Sequence, residues 1–140
     1  MGKGRKMGNY THKVNYYETD KMGVTHHSNY VRWMEEARVY MMEKMGYSYM
    51  KLESINIGSP VLGYTCDINH STYFGDEVEI DTKVKEYNGV RLTMQYEMKV
   101  SEKIVATGET KHCFVGLKGR PIRLNKECPE LDEILKHNLL

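Results

Sequence analysis

The chain has 140 residues, is 40% hydrophobic and 28% charged, and carries a formal net charge of +1 at pH 7. This length suits one domain with a real core, and the balanced charge argues against a dedicated nucleic-acid binder, which usually carries a clear basic excess. The three cysteines form no CxxC pair, which argues against a disulfide framework or a zinc pattern and predicts a reducing, cytoplasmic setting.

The N-terminal segment Met1–Gly8 is basic and glycine-rich, and no apolar run follows it as a signal peptide would require. The longest apolar runs of the chain are far too short to span a bilayer. We therefore expect residues 1–9 to form a flexible tail, with a phosphate-binding arm as the alternative, and residues 10–140 to form a single domain.

The first predicted strand runs from His12 to Thr19 and ends at a glycine-containing turn, Asp20 to Gly23. A long helix is predicted to begin near Tyr30, with Ser28 or Asn29 as its cap. Its apolar residues recur in steps of three and four, as in a helix with one buried face. They are Tyr30, Trp33, Met34, Ala37, Met41 and Met45, and Gly46 ends the helix.

Most of the remaining chain alternates between apolar and polar residues, as strands do. The predicted strands are Pro60–Asn69, Val78–Tyr87, Leu92–Val100 and Val105–Leu117, with turns at Asn88-Gly89 and Ser101–Lys103 and a short helix over Leu131–Leu140. One helix and several antiparallel strands predict an α+β fold in which a curved sheet of about five strands covers the helix. The open edges of such a sheet favour pairing of two copies.

One segment, Tyr17–Tyr30, combines residues suited to acyl chemistry. Asp20 follows a strand, and His27 precedes the predicted helix start. The first turn of a helix has unpaired N–H groups and a positive dipole end, which can polarise a carbonyl and hold a developing oxyanion. A nearby carboxylate can attack the carbonyl or draw a proton from water, so neither a metal nor a cofactor is needed.

This segment resembles the 4-hydroxybenzoyl-CoA thioesterase family of hotdog-fold proteins, especially its branch of acyl-CoA thioesterases associated with the Tol-Pal system. The family motif is matched by Thr19-Asp20, Gly23-Val24, His27 and Asn29-Tyr30 in the same order and spacing. The helix residues Glu36-Ala37-Arg38, the pair Pro60-Val61 and the later strands also fall in register. The pair His26-His27 departs from the family, which more often has one His or Tyr there, and leaves open which imidazole faces the pocket.

The resemblance implies a hotdog fold, with the sheet wrapped around one long central helix, and hydrolysis of an acyl-CoA or of an acyl carrier protein thioester. It implies that Asp20 is the nucleophile or general base and that the backbone N–H near His27 binds the oxyanion. The His27 side chain would orient substrate or water. Active sites would lie between two subunits of a homodimer or homotetramer. The residues implied to line the substrate site are Gly23, Val24, Asn29 and Tyr30.

Coenzyme A carries several phosphates, which require basic partners. The basic stretch near the chain end, Lys118, Arg120 and Arg123, is our first choice. A metal at His12, His26 and His27 is a weak interpretation because no close carboxylate ligand accompanies the pair.

Other interpretations stay open at this point. Asp20 alone would be read as a turn residue, and His27 as an ordinary residue at a helix start. The whole protein would then be a non-catalytic acyl-CoA binder. A hydratase would need an Asp-His dyad at a different spacing, which the sequence does not contain.

Overall fold

The computed structural model describes residues 8–140 and contains five strands in that range. All neighbouring strands are antiparallel, and their order across the sheet is β1-β3-β4-β5-β2. β2 and β1 are therefore the two edges. The strands are β1 (Asn9–Lys13), β2 (Val61–Ile68), β3 (Glu77–Tyr87), β4 (Arg91–Val100) and β5 (Lys103–Cys113).

One long helix, α1, packs on the sheet as predicted. No helix within residues 8–140 has both the length and the apolar character needed to cross a bilayer. The helices are α1 (Ser28–Lys44), α2 (Tyr49–Ser54), α3 (Leu124–Glu127) and α4 (Pro129–His137), with 3-10 turns at Tyr16–Glu18 and Leu117–Gly119.

The core forms between the apolar face of α1 and the concave face of the sheet. Every predicted residue of the helix stripe is buried, and so are the alternating residues of β3 and β4. Gly108 marks the closest approach of helix and sheet. A Cβ there would lie 2.7 Å from the Thr65 carbonyl oxygen and 2.8 Å from the Met34 sulfur, so only glycine fits without displacement. The predicted α+β architecture is confirmed.

The predicted turns are also confirmed. Gly46, just beyond α1, has a φ of +87°, and Gly89 between β3 and β4 has a φ of +92°. Ser101 and Glu102, between β4 and β5, have φ values of 48° and 70°. Both residues of a tight hairpin turn adopt this conformation when its twist matches the flanking strands.

The prediction for the first strand was wrong in its extent. β1 ends at Lys13, and Tyr16–Glu18 form a 3-10 turn. The Glu18 carboxylate accepts the backbone N–H of Asn15 at 2.8 Å and closes this turn, which an alternating apolar pattern does not reveal. The last strand is shorter than predicted as well, since β5 ends at Cys113.

The predicted N-terminal tail lies mainly outside the described residues, which begin at Gly8. Only its last two positions, Gly8 and Asn9, are among the described residues. The Gly8 carbonyl accepts the N–H of Thr82 at 2.9 Å, and Asn9 pairs with Asp81. Asn9 is therefore the first residue of β1, and the flexible tail itself stays a prediction.

A buried polar chain crosses the core from α1 to the end of β5. The Arg38 guanidinium donates to the Tyr96 hydroxyl at 3.1 Å, and the Tyr96 and Thr110 hydroxyls lie 2.7 Å apart. Thr110 Oγ1 lies 2.8 Å from His112 Nε2, and His112 Nδ1 lies 3.2 Å from the Ser59 carbonyl oxygen. Burial, with the Arg38 charge, lowers the pKa of His112 to about 4. A neutral His112 can accept a hydrogen bond at Nε2 and donate one at Nδ1, so it links β5 to the segment that precedes β2.

Candidate active site

Asp20 lies in a tight turn between the 3-10 turn Tyr16–Glu18 and the start of α1. Thr19 and Thr25 face each other across this turn. Within it, the Asp20 N–H donates to the Val24 carbonyl at 2.8 Å, and the Gly23 N–H donates to the Asp20 carbonyl at 3.0 Å. The backbone of the Asp20 turn, residues 19–25, is therefore fixed by its own hydrogen bonds.

The Asp20 side chain is exposed and only partly engaged. Its Oδ1 accepts the N–H of Met22 at 2.8 Å, while Oδ2 meets no donor among residues 8–140. Gly23 has a φ of +81°, and the space where a Cβ would stand is open. Glycine is used here for its backbone conformation, and the open space gives a ligand access to the turn.

The start of α1 differs from the prediction. Ser28 is the first helical residue, and neither Ser28 nor Asn29 is its cap. Instead, His26 Nδ1 accepts the Ser28 N–H at 3.2 Å. The carbonyls of His26 and His27 accept the N–H groups of Asn29 and Tyr30, at 3.0 Å and 3.2 Å. Within the described residues, the N–H of His27 is the group at this helix start that has no acceptor.

The two histidines are therefore not equivalent. Both are exposed, and their rings stack with centroids 4.3 Å apart. His26 is tied to the helix through Nδ1, which also lies 2.9 Å from the Ser28 hydroxyl. The His27 ring makes no hydrogen bond within residues 8–140, so it is the imidazole that is free to meet a ligand.

Asn29 and Tyr30 lie beneath the loop. The Asn29 amide donates to the carbonyls of Glu18 at 3.0 Å and His26 at 3.2 Å. The Tyr30 ring is 2% exposed, and its hydroxyl lies 3.0 Å from the Thr72 hydroxyl. In the single protomer these two predicted pocket residues support the loop from inside.

Exposed aromatic and apolar side chains surround the Asp20 turn, and the sequence analysis did not find them. They come from the 3-10 turn that precedes it, from the Asp20 turn itself and from the loop before β3, where Tyr73 bridges Val24. Single exposed apolar residues are ordinary, but neighbouring ones mark a surface for a ligand or partner, and here the Tyr16 and Phe74 ring centroids lie 5.7 Å apart. The members of this cluster, 53% to 84% exposed, are Tyr16, Tyr17, Met22, Tyr73 and Phe74.

The Asp20 turn lies at one end of the sheet, which we call the proximal end. The Val14 N–H donates to the Asp76 carbonyl at 2.9 Å, and the Thr25 N–H donates to the Thr72 carbonyl at 2.9 Å. Asp76 immediately precedes Glu77, where β3 begins, and Thr72 lies in the loop that leads into it. The distal end is the other end of β3, about 30 Å away at roughly 3.3 Å per residue.

The predicted phosphate-binding residues lie at the distal end. They follow β5, whose last residue Cys113 pairs with Arg91 at the start of β4. Lys118 and Arg120 line a cavity of about 580 Å³ beside Asn56 and Ile122. Lys118, Arg120 and Arg123 are all exposed. Within one protomer, the fold does not bring these residues to Asp20.

The sheet wrapped around one long helix defines a hotdog-fold protein. Similarity to known proteins narrows the class further. The solved DHNA-CoA thioesterase from Staphylococcus aureus is 31% identical, covers 92% of this chain and 88% of its own, and superposes with a TM-score of 0.88. A relative from Aquifex aeolicus, provisionally named an esterase, is 31% identical over 87% of this chain and 94% of its own length. Another from Bacillus subtilis, provisionally named acyl-CoA thioesterase YneP, is 27% identical over 84% and 87%.

Residues 14–139 match the family model described as the thioesterase-like superfamily. The chain belongs to this superfamily, and its enzymatic class is that of the thioester hydrolases. The matched range includes the Asp20 turn, α1 and all of the sheet except β1. The hotdog fold predicted from the Asp20–Tyr30 motif is confirmed.

Proposed function

We propose that the protein hydrolyses an acyl-CoA thioester, with Asp20 as nucleophile or general base. The observation that carries this proposal is that the one loop between Thr19 and α1 contains two unengaged groups of complementary chemistry. Asp20 Oδ2 has no donor, and the His27 N–H at the positive end of α1 has no acceptor, within residues 8–140. A thioester carbonyl between them would have its carbon facing the carboxylate and its oxygen facing the N–H.

Asp20 can bring about thioester hydrolysis by either of two mechanisms. In the first, Asp20 attacks the carbonyl carbon, the coenzyme A thiolate leaves and is protonated, and water then cleaves the acyl-aspartate anhydride. In the second, Asp20 takes a proton from a water whose oxygen bonds to the carbonyl carbon, and the collapsing intermediate expels the thiolate, which recovers that proton. In both, the His27 N–H holds the negative oxygen, and the His27 ring orients water or substrate.

We propose that the acyl group of the substrate is aromatic. The motif favours the 4-hydroxybenzoyl-CoA and Tol-Pal-associated branch, while a solved relative at 31% identity is a DHNA-CoA thioesterase. The exposed aromatic cluster beside Asp20 favours a planar aromatic acyl group, since aromatic rings pair by stacking and edge contacts. An acyl carrier protein thioester is the alternative carrier. We expect the enzyme to act in the cytoplasm, where the cysteines Cys66, Cys113 and Cys128, all free, would stay reduced.

We further propose that the site is shared between two copies of the chain. β2 is an edge strand with exposed Val61, Leu62, Tyr64 and Ile68, which is the pattern of a strand that pairs with another. Antiparallel pairing of two β2 strands about a two-fold axis would set the proximal end of one protomer beside the distal end of the other. Asp20 of one copy would then meet Lys118, Arg120 and Arg123 of the partner. A homotetramer would require a second interface.

The direct test is release of free thiol from a panel of thioesters under steady-state conditions. The panel contains 4-hydroxybenzoyl-CoA, 1,4-dihydroxy-2-naphthoyl-CoA, a short and a long straight-chain acyl-CoA, and one acyl carrier protein thioester. We expect turnover of at least one aromatic acyl-CoA with a higher kcat/KM than the straight-chain substrates. Tight binding of these thioesters without thiol release would instead identify a non-catalytic acyl-CoA binder.

A further inference from the structure

A buried carboxylate lies directly beneath the Asp20 turn. Glu18 is 5% exposed. Its Oε1 accepts the Asn15 N–H at 2.8 Å and lies 2.9 Å from His12 Nε2, while its Oε2 accepts the Trp33 indole N–H at 2.8 Å. Burial alone would raise the pKa of Glu18, but these three hydrogen bonds outweigh it and lower the pKa. The carboxylate therefore stays ionised and satisfied in the core.

The same network continues to the outer side of α1. His12 Nδ1 lies 3.1 Å from the Glu36 carboxylate, which also accepts the Tyr10 hydroxyl at 2.7 Å. Both ring nitrogens of His12 thus lie within hydrogen-bond distance of carboxylate oxygens. The His12 ring also packs on Trp33, with centroids 4.8 Å apart. Strand β1, the 3-10 turn and α1 are joined at this point.

The backbone of Glu18 connects this network to the candidate site. Its carbonyl accepts the His26 N–H at 2.8 Å and the Asn29 side-chain amide at 3.0 Å. The Glu18 side chain is therefore anchored in the core, while the Glu18 carbonyl fixes the segment at the start of α1. Asp20 follows two residues later.

We infer that Glu18 is a positioning residue that sets the distance between the Asp20 carboxylate and the His27 N–H. The inference rests on the proposed function, because it matters only if those two groups act on one carbonyl. Reacting groups must be held to within a fraction of an ångström, and a displacement of about 1 Å can cost about 100-fold in rate. The hydrogen bonds inside the Asp20 turn keep its own shape, whereas Glu18 fixes where the turn stands relative to the helix.

The test compares Glu18→Gln with a matched control, Asp132→Asn. A glutamine has one oxygen for three donors, so at least one N–H loses its acceptor in the core. Asp132 is likewise a buried carboxylate, 3% exposed, which accepts from the Tyr87 hydroxyl and from Lys136 at 3.0 Å. It lies in α4, on the part of the fold that packs against the distal end of β3. Both substitutions are expected to lower Tm.

Only Glu18→Gln is expected to lower kcat, by about 10- to 100-fold, with KM changed less than about threefold. Trp33 is the only tryptophan, so its emission reports on the Glu18 contact without turnover. We expect the emission spectrum to change in Glu18→Gln and to stay the same in Asp132→Asn. If Glu18→Gln does not fold, His12→Gln, which leaves the Glu18 carboxylate intact, should show the same changes at smaller size.

Two failures are distinguishable. A wild-type protein that hydrolyses no thioester, or an Asp20→Asn variant that keeps its activity, overturns the proposed function and this inference with it. An active wild type with an inactive Asp20→Asn, but with equal kcat in Glu18→Gln and Asp132→Asn, overturns the positioning role alone. Unchanged Trp33 emission in Glu18→Gln would contradict the hydrogen bond on which the role is built.

Discussion

Asp20→Asn is expected to lower kcat by about 100- to 10,000-fold, the range that a positioned acid, base or nucleophile contributes. KM should change far less, because the lost group acts mainly in the transition state. Asparagine keeps an oxygen for the Met22 N–H, which Asp20 Oδ1 accepts at 2.8 Å, so the turn should survive. The measurement is steady-state thiol release with the best substrate of the panel, accompanied by the Tm of each variant.

The matched control is Asp76→Asn in the neighbouring loop. Asp76 also accepts a backbone N–H within a turn, that of Tyr73 at 2.9 Å, and it is only partly exposed. We expect this variant to keep nearly all of kcat. A kcat for Asp20→Asn equal to that of Asp76→Asn would mean that Asp20 only shapes its turn, as most aspartates at strand ends do.

Two variants that each have low activity at subsaturating substrate are expected to restore activity when combined in one dimer. The first carries Asp20→Asn, and the second carries Lys118→Ala, Arg120→Ala and Arg123→Ala. If each site takes Asp20 from one protomer and the basic residues from its partner, the heterodimer has one complete site and one site defective in both parts. A two-fold dimer has two equivalent sites, so we expect about half of the wild-type activity per dimer.

The heterodimer is obtained by co-expression with two affinity tags and tandem purification, and each parent homodimer is assayed at the same subsaturating acyl-CoA concentration. Because the basic residues are assigned to phosphate binding, the triple variant alone should lose activity mainly through a higher KM. A heterodimer no more active than the mean of its parents would place both sets of residues in the same protomer's site, or exclude the basic stretch from substrate binding. A protein that is monomeric at assay concentrations would refute the shared site outright.

The parts of the fold that the sequence predicts well depend on local repetition. Alternation in Val78–Val84 and Leu92–Met98 gives the inward faces of β3 and β4, and the stripe from Tyr30 to Met45 gives the buried face of α1. A period of two or of 3.6 needs no knowledge of distant contacts. The glycine turns follow for the same reason, since positive φ is a local property.

The parts that the sequence does not reveal depend on contacts between distant elements. Glu18 falls within the predicted first strand, and alternation does not reveal that donors from three elements hold its carboxylate in the core. His26 replaces Ser28 as the group that caps α1, because its ring folds back onto the helix start. Spacing along the chain also does not tell which end of the sheet a residue occupies. The sequence therefore does not reveal that the basic stretch near Arg120 lies at the distal end of the protomer that carries Asp20.

In the proposed mechanism, Asp20 and the start of α1 act on the same thioester carbonyl. The most direct measurement is a crystal structure of the wild-type protein with a non-hydrolysable ketone analogue of its best acyl-CoA substrate. We predict the analogue's carbonyl carbon about 3 to 3.5 Å from the Asp20 carboxylate, with its oxygen within hydrogen-bond distance of the His27 N–H. A carbonyl bound elsewhere, with the Asp20 carboxylate facing only solvent, would contradict the proposed role of Asp20.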